Sequence, residues 1–239
     1  MFEWLWASGK RDVDGAVSVL IPTMFDSRLI VELCVRSIQK RTDYPEVKII
    51  VCDAGADEEA KAFLHELESE GSIRLIQATD WERPKDDLAA AVDTPYYVVM
   101  HDDCYVTDSR WLRRRMRLML GDPRNAVVGT TLPNCYQPSL TRFFPLGLLV
   151  KTDAAREMGL KWGKQVKEGF DTGALAYQKF LQQTKYRFVY YKTSRDTHHF
   201  SQMTWPKYQD ATRPEIGKLL AERDAKIAKI KRMLETGAY

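Results

Sequence analysis

Short apolar runs alternate with amphipathic segments through the first hundred residues, and this alternation constrains the fold more than any other feature. Continuous apolar runs of four to eight residues are typical of strands buried on both faces. We predict strands at Ala16–Ile21, Val47–Cys52, Ile73–Ile76 and Tyr96–Met100 and helices at Leu29–Arg41, Glu58–Glu70 and Lys85–Val92. Strands that alternate with helices form right-handed βαβ units, so the sequence predicts an α/β fold with a mostly parallel sheet.

The pattern becomes less regular after residue 105. A Pro- and aromatic-rich stretch, Thr131–Pro145, predicts an irregular loop that faces a substrate. Around it, the periodicity predicts further strands and helices; the strands are Ala126–Gly129, Leu146–Lys151 and Arg187–Tyr191, and the helices are Trp111–Leu120, Ala154–Met158 and Phe170–Gln183.

The C-terminal stretch Glu215–Glu235 carries apolar residues on one face and lysines and arginines on the other, which predicts an amphipathic helix. Its apolar face could dock onto its own domain or contact a second copy or another partner. We therefore expect an N-terminal extension at residues 1–15, one domain at 16–205 with halves 16–105 and 106–205, and this helix within 206–239.

Composition narrows the class of protein. The formal net charge of +3 is too small to indicate a nucleic-acid partner. We interpret the run Arg113–Arg115 as the solvated face of a helix, or as a surface that faces phosphates. The four cysteines are widely spaced without a Cys-x-x-Cys pair, which indicates free thiols in a reducing compartment. No apolar run approaches the roughly 20 residues of a membrane span. We expect a cytoplasmic protein, either soluble or peripheral to a membrane.

The strand Tyr96–Met100 runs directly into His101, Asp102 and Asp103. Adjacent carboxylates repel each other, and at the end of an interior strand they are costly unless a cation lies against them. In open α/β sheets, ligands bind at the carboxyl ends of the strands. The cluster therefore predicts a divalent metal site, with an exposed acidic turn as the alternative.

Two further carboxylates follow predicted strands, Asp26 after the first and Asp53 after the second. Carboxylates after parallel strands converge on one edge of the sheet, where they could bind a nucleotide while a metal bridges its diphosphate to the acidic cluster. Neither a Gly-x-Gly-x-x-Gly fingerprint nor a P-loop follows the first strand.

Three segments in this order and spacing carry a family resemblance: VSVLIPT at 17–23, VCDAGAD at 51–57 and YYVVMHDD at 96–103. They resemble the successive signatures of GT-A glycosyltransferases, in particular the inverting family 2. The resemblance implies a Rossmann-like, mixed but mostly parallel sheet flanked by helices. It also implies a nucleotide-sugar donor near Pro22, Thr23 and Asp53, and an Mn²⁺ or Mg²⁺ ion on Asp103.

Two positions depart from the family pattern. His101 occupies the place of the usual first Asp of the metal motif, where its imidazole can still bind a metal. Gly169 occupies the place of the usual general base, so that role falls to Glu168 or Asp171, with Asp171 favoured. Both carboxylates could instead simply lie in a first helical turn, where the dipole favours them.

The resemblance also implies a late histidine at the metal or diphosphate site, and His198–His199 matches it. Rings of adjacent residues in an extended segment point to opposite sides, so one of them faces the site, and we choose His199. Asp102 is expected to contact the donor. Arg83 and Lys85 could stabilise the departing nucleoside diphosphate, with solvated surface charge as the alternative for each.

The sequence thus predicts a metal-dependent inverting glycosyltransferase that moves a sugar from a nucleotide diphosphate sugar to an acceptor hydroxyl. The acceptor could be a glycan, a lipid-linked molecule or another hydroxyl compound, and the aromatic residues Tyr136, Phe143 and Phe144 could stack on its rings. The alternatives are a non-catalytic nucleotide-sugar-binding domain and a nucleotidyltransferase.

Overall fold

The computed structural model describes residues 15–25, 28–163, 169–200, 203 and 214–239. Its strands are β1 (Val17–Phe25), β2 (Val47–Ala56), β3 (Arg74–Gln77), β4 (Tyr96–Met100), β5 (Cys104–Val106), β6 (Asn125–Pro133), β7 (Thr141–Lys151), β8 (Arg187–Tyr190) and β9 (Thr197–His199). Seven of them form one sheet in the order β3-β2-β1-β4-β7-β6-β8, and β5 pairs separately with β9.

The helices are α1 (Arg28–Arg41), α2 (Glu58–Ser69), α3 (Pro84–Ala90), α4 (Trp111–Leu120), α5 (Thr152–Glu157), α6 (Ala174–Leu181) and α7 (Pro214–Thr236). A single 3-10 turn at Thr193–Arg195 precedes β9. Among the described residues, every helix is too short or too polar to cross a bilayer.

The half of the sheet formed by β1 to β4 is parallel, as predicted. Both of its faces are buried, because Val98 belongs to an apolar cluster with residues of α1, α2 and α4, while Val99 belongs to one with residues of α3, α5 and α6. This two-sided burial explains why the strands read as continuous apolar runs.

β1 continues through Pro22, where we expected it to end. The ladder to β4 extends only from Val17 to Leu20, whereas the ladder to β2 continues through Pro22 and Thr23. Proline is tolerated at this position because the side of β1 toward β4 is no longer paired there.

The second half of the sheet is mixed. β7 is antiparallel to β4 and β6, and β6 is parallel to β8. The expectation that Thr131–Pro145 is an irregular loop was wrong, because β6 and β7 form a hairpin that leaves only residues 134–140 as a connection. Pro145 and Gly147 make β7 hard to recognise in the sequence. Gly147, with a φ of +71°, lies at a register shift against β4, and Pro145 lies at a register shift against β6.

The helix expected at Phe170–Gln183 begins only at Ala174. Gly173 at its N-cap has a φ of +79° and is packed so closely that an added Cβ would lie 2.4 Å from the carbonyl oxygen of Phe143. Asp171 therefore lies in the turn before α6 and not in its first helical turn.

The C-terminal helix packs on the chain's own domain. Ile230 is fully buried and packs with Met233 against Ile30 and Leu33 of α1. Lys40 Nζ donates a hydrogen bond of 2.8 Å to the carbonyl oxygen of Gly237. Docking onto its own domain, one of the two alternatives from the sequence, is what the structure shows for this apolar face.

Truncating Ile230 should destabilise the protein. Ile230→Ala removes a fully buried side chain between α1 and α7, and such changes cost about 2–5 kcal/mol of unfolding free energy. The exposed Lys231→Ala is the matched control on the same helix and should change stability by less than about 0.5 kcal/mol. Urea unfolding of both variants checks this, and equal stabilities would contradict the packing of α7 on α1.

Candidate active site

His101, Asp103 and His199 meet beyond the end of β4. His101 follows β4 directly, Asp103 precedes β5, and His199 ends β9. The antiparallel pairing of β5 with β9 places Cys104 opposite His199, and the Phe200 N–H donates a 2.9 Å hydrogen bond to the carbonyl oxygen of Asp103. His199 Nε2 consequently lies 2.8 Å from Asp103 Oδ1.

These three side chains fit a divalent cation. One ligand atom from each lies within 4.8 Å of the other two. Adjacent ligands held at about 2.0–2.2 Å from one ion lie roughly 3 Å apart, which is close to the 2.8 Å between His199 and Asp103. Imidazole and carboxylate are both good ligands for divalent metals.

Aromatic packing holds the two imidazoles in place. The rings of His101 and His199 meet edge to face with centroids 5.5 Å apart. Phe144 packs against both, at 6.3 Å from His101 and 5.6 Å from His199. Phe144, which we expected at the acceptor, therefore packs against both candidate histidine ligands.

The neighbouring residues take other positions. His198 is exposed and its ring stacks on Tyr105 with centroids 5.4 Å apart, so His199 is the histidine that faces Asp103. Phe143, also expected at the acceptor, is fully buried in the core. Tyr136 is 49% exposed in the connection between β6 and β7.

Asp102 lies outside the ligand group and has a different electrostatic setting. Burial raises the pKa of its carboxyl to about 7; the charge of Asp103 adds to the shift, and Lys85 opposes it. Lys85, a largely buried residue of α3, thus acts electrostatically on Asp102 and offsets part of its charge. These two predicted donor-binding residues therefore interact electrostatically.

Arg83 is placed differently from Lys85. Its side chain is 46% exposed and its Nε lies 3.9 Å from Asp86 Oδ2. None of the contacts described for it reaches the His101, Asp103 and His199 cluster.

The predicted nucleotide-binding residues of β1 and β2 lie side by side. Pro22 pairs with Cys52 and Thr23 with Asp53 in the parallel ladder. Asp53 is 3% exposed; its Oδ1 accepts the N–H groups of Gly55 and Ala56 at 2.9 and 2.7 Å. Asp26 lies outside the described residues.

Asp171 is the described carboxylate of the predicted base region, and Glu168 lies outside the described residues. Asp171 Oδ1 accepts a 2.7 Å hydrogen bond from the Thr172 N–H, and its Oδ2 lies 3.2 Å from an Arg142 guanidinium nitrogen. The buried Asn134 accepts the Asp171 N–H at 3.1 Å and donates to the Gly169 carbonyl at 2.6 Å. The carboxylate is thus held from both its backbone and its side chain.

Gly169, at the usual position of the base, has a backbone conformation that glycine adopts more readily than other residues. Its φ is +78°, which side chains rarely adopt, and an added Cβ would lie 2.1 Å from the amide nitrogen of Gln137. A carboxylate at residue 169 would require both a strained backbone and displacement of Gln137.

Arg142 connects Asp171 with the imidazole cluster. Its guanidinium carbon lies 5.4 Å from the centre of the Phe144 ring, the ring that contacts His101 and His199. Arg142 and Phe144 are two residues apart on β7 and share one face of the strand. Sequence reasoning missed Arg142 and Asn134 because it did not predict this hairpin; the i, i+2 spacing along β7 is the signal that could have indicated Arg142.

A buried ion pair anchors the segment that leads into His199. Arg115 and Asp196 are both fully buried, with 2.9 Å between guanidinium nitrogen and carboxylate oxygen. Tyr191 donates its hydroxyl to Asp196, and its ring lies 4.7 Å from the Arg115 guanidinium carbon. Burial lowers the pKa of Arg115, and Asp196 opposes this shift. The expectation that the Arg113–Arg115 run is solvated was therefore wrong for Arg115.

The sequence model described as glycosyl transferase family 2 matches residues 18–203. The match covers most of the chain, and the chain belongs to glycosyl transferase family 2. No curated protein matched the sequence closely enough to add a relative.

Solved structures agree with this fold. A mannosyltransferase, PcManGT from Pyrobaculum calidifontis in complex with GDP-Man and Mn²⁺, matches with a TM-score of 0.59 and 15% identity over 81% of this chain. TarS from S. aureus, residues 1–349 in complex with UDP-GlcNAc, matches with a TM-score of 0.56 and 11% identity over 76% of this chain. The chain spans 59% of the mannosyltransferase and 57% of that TarS chain. These likenesses confirm the GT-A fold expected from the sequence.

Removing the negative charge at Asp196 should destabilise the protein strongly. Asp196→Asn keeps the shape of the side chain but leaves the buried Arg115 charge without its counter-ion, which costs about 3–5 kcal/mol. The same change at the exposed Asp153 of α5 is the control and should be nearly neutral. Guanidinium unfolding of both variants measures the difference; a loss under 1 kcal/mol at Asp196, on the order of a single neutral hydrogen bond, would contradict the anchoring role.

Proposed function

We propose that this protein is a metal-dependent inverting glycosyltransferase that transfers a sugar from a nucleoside diphosphate sugar to an acceptor hydroxyl. One observation carries the proposal: Arg142 and Phe144 join a carboxylate suited to a general base, Asp171, to a group of three metal-ligating side chains. Membership of glycosyl transferase family 2 supports it. Neighbouring structures that contain GDP-Man and UDP-GlcNAc support the donor class.

The donor is proposed to lie along the carboxyl ends of β1, β2 and β4. Pro22, Thr23 and Asp53, which are adjacent in the ladder, would contact the base and ribose. Asp26, which follows β1 in the sequence, is proposed to contribute to the same site. The diphosphate would lie toward Asp102 and Lys85. Lys85 can donate hydrogen bonds to phosphate oxygens and offset their charge.

His101, Asp103 and His199 are proposed to hold the cation, Mn²⁺ or Mg²⁺. Such a cation supplies positive charge that stabilises the nucleoside diphosphate as it departs. The chain supplies the geometry: Asp103 is held by its backbone bond to Phe200, and Phe144 packs against both imidazoles.

Asp171 is proposed to accept the proton of the acceptor hydroxyl. As the acceptor oxygen bonds to the anomeric carbon, the bond from that carbon to the diphosphate oxygen breaks on the opposite face, so a single displacement inverts the configuration. Arg142 and the Thr172 N–H orient the carboxylate. A position within hydrogen-bond reach of the attacking hydroxyl is the first requirement of a general base.

The acceptor is proposed to approach near Tyr136. The backbone N–H groups of Tyr136 and Asp171 both donate to Asn134 Oδ1, at 3.5 and 3.1 Å, so one side chain holds both residues. Burial raises the pKa of the Tyr136 phenol, and the charge of Asp171 adds to the shift. An exposed aromatic ring beside the proposed base offers a stacking surface for a sugar ring. A glycan or the sugar of a lipid-linked molecule would suit this surface, as would another hydroxyl compound with a planar apolar face.

Donor hydrolysis tests the assignment of the base without knowledge of the acceptor. With GDP-mannose or UDP-GlcNAc and Mn²⁺, the protein should release nucleoside diphosphate, and Asp171→Asn should lower kcat about 10²–10⁴-fold while donor affinity stays within a few fold. Asp153→Asn, on the surface of α5, is the matched control and should keep full kcat. Calorimetric donor titrations and a coupled diphosphate assay provide the two quantities.

The outcomes separate the alternatives. If Asp171→Asn keeps its kcat and Glu168→Gln loses it, Glu168 is the base and the assignment of Asp171 is wrong. If the unmodified protein binds donor but releases no diphosphate, with or without candidate acceptors, the non-catalytic binding domain is the correct reading.

A further inference from the structure

We infer that the cation site selects a first-row transition metal over Mg²⁺. The inference rests on the proposed function only in taking His101, Asp103 and His199 as the ligands, and it goes beyond that function in assigning the class of ion. Specifically, the site is expected to bind Co²⁺ and Zn²⁺ most tightly, Mn²⁺ less tightly and Mg²⁺ most weakly.

The chemical types of the three ligands favour a transition metal over Mg²⁺. Two of the three ligand residues are histidines and the third is Asp103. Mg²⁺ is a hard ion that prefers oxygen ligands and retains several waters. Imidazole suits the later first-row metals, whose affinity for a given nitrogen and oxygen site rises from Mn²⁺ through Co²⁺. A site with two nitrogens and one charged oxygen therefore favours these ions over Mg²⁺.

The position of Asp102, the second carboxylate, also disfavours Mg²⁺. Asp102 is adjacent in sequence but does not belong to the group of ligand atoms within 4.8 Å of one another. In the described part of the chain, the group thus holds a single negative charge, that of Asp103. A hard ion that depends on charge attraction to carboxylates gains little here.

The fixed positions of His101 and His199 further favour a metal that accepts nitrogen ligands. The His101 N–H donates a 3.1 Å hydrogen bond to the Pro145 carbonyl, and His199 is fixed by the ladder between β5 and β9. Phe144 packs against both rings. Because the imidazoles are held beside Asp103 before any ion binds, the site cannot readily exchange them for the oxygen ligands that Mg²⁺ requires.

Metal titrations of the full chain test the inference directly and without donor. After removal of metals with EDTA and dialysis, calorimetric titration with Mg²⁺, Mn²⁺, Co²⁺ and Zn²⁺ at one pH and salt concentration gives four dissociation constants. The dissociation constant for Co²⁺ should be at least about 100-fold lower than that for Mg²⁺. Equal constants for Co²⁺ and Mg²⁺, or tighter binding of Mg²⁺, would overturn the inference.

A variant with a second carboxylate in the site tests whether the preference for Co²⁺ over Mg²⁺ arises from these ligands. His101→Asp exchanges one nitrogen ligand for a carboxylate and should lower the ratio of Co²⁺ to Mg²⁺ affinity by about tenfold or more. His198→Asp is the matched control, because His198 is the adjacent exposed histidine that stacks on Tyr105, and it should leave the ratio unchanged. A ratio that shifts in the control and not in His101→Asp would contradict the ligand assignment.

Spectroscopy on the unmodified protein keeps the test decisive if the variant fails to fold. Pulsed electron paramagnetic resonance of the Mn²⁺-loaded protein should detect nitrogen couplings from two imidazoles; their absence would overturn the inference. Failure here is distinguishable from failure of the proposed function. Sugar transfer that proceeds with tightly bound Mg²⁺ would refute the inference alone, whereas a Co²⁺-selective site without transfer would refute the catalytic proposal alone.

Discussion

The candidate site depends on the pairing of β5 with β9. Asp103 and His199 are almost a hundred positions apart in the chain, and this two-stranded ladder places their side chains 2.8 Å apart. So short a ladder has few hydrogen bonds of its own. Asp196, directly before β9, forms a buried ion pair with Arg115 of α4. This ion pair holds the segment against α4 and so helps the ladder to fix the position of His199.

Charge balance explains how these parts fit together. The strand β4 delivers two adjacent carboxylates to an interior edge of the sheet, which is costly without nearby positive charge. Lys85 offsets part of the charge of Asp102. A cation bound to Asp103 would offset the charge of that second carboxylate. Arg142, whose guanidinium carbon lies 5.4 Å from the centre of the Phe144 ring, offsets the charge of Asp171. Asp102 and Asp171 therefore each have a cationic side chain that offsets their charge, and the Phe144 ring contacts Arg142 as well as the two imidazoles. This arrangement supports the proposed reaction, with a cation at the leaving group and a base at the nucleophile.

The parallel half of the sheet could be predicted from the sequence because burial on both faces leaves a continuous apolar run in each strand. The hairpin of β6 and β7 could not, since Pro145 and Gly147 interrupt its pattern and are tolerated only where the register of β7 shifts against β6 and β4. Arg115 was misread for a related reason: an arginine in a basic helical run looks solvated, and its partner Asp196 lies about eighty residues further along the chain.

The proposed ligand residues were predicted in two ways. The end of the β4 strand indicated His101 and Asp103, whereas the family resemblance indicated the His198–His199 pair and the alternation of an extended segment favoured His199. The residues packed around them, above all Phe144 and Arg142, lie on β7, and this part of β7 was not predicted from the sequence. The same holds for Asp171, whose turn is fixed by the distant Asn134.

A crystal structure of the protein with Mn²⁺ and the nucleoside diphosphate of its donor tests the central claim most directly. The account predicts one anomalous peak bonded to His101, Asp103 and His199, with the diphosphate on its open side toward Lys85. A peak bonded to Asp102 without either histidine, or a diphosphate bound away from this edge, would contradict it.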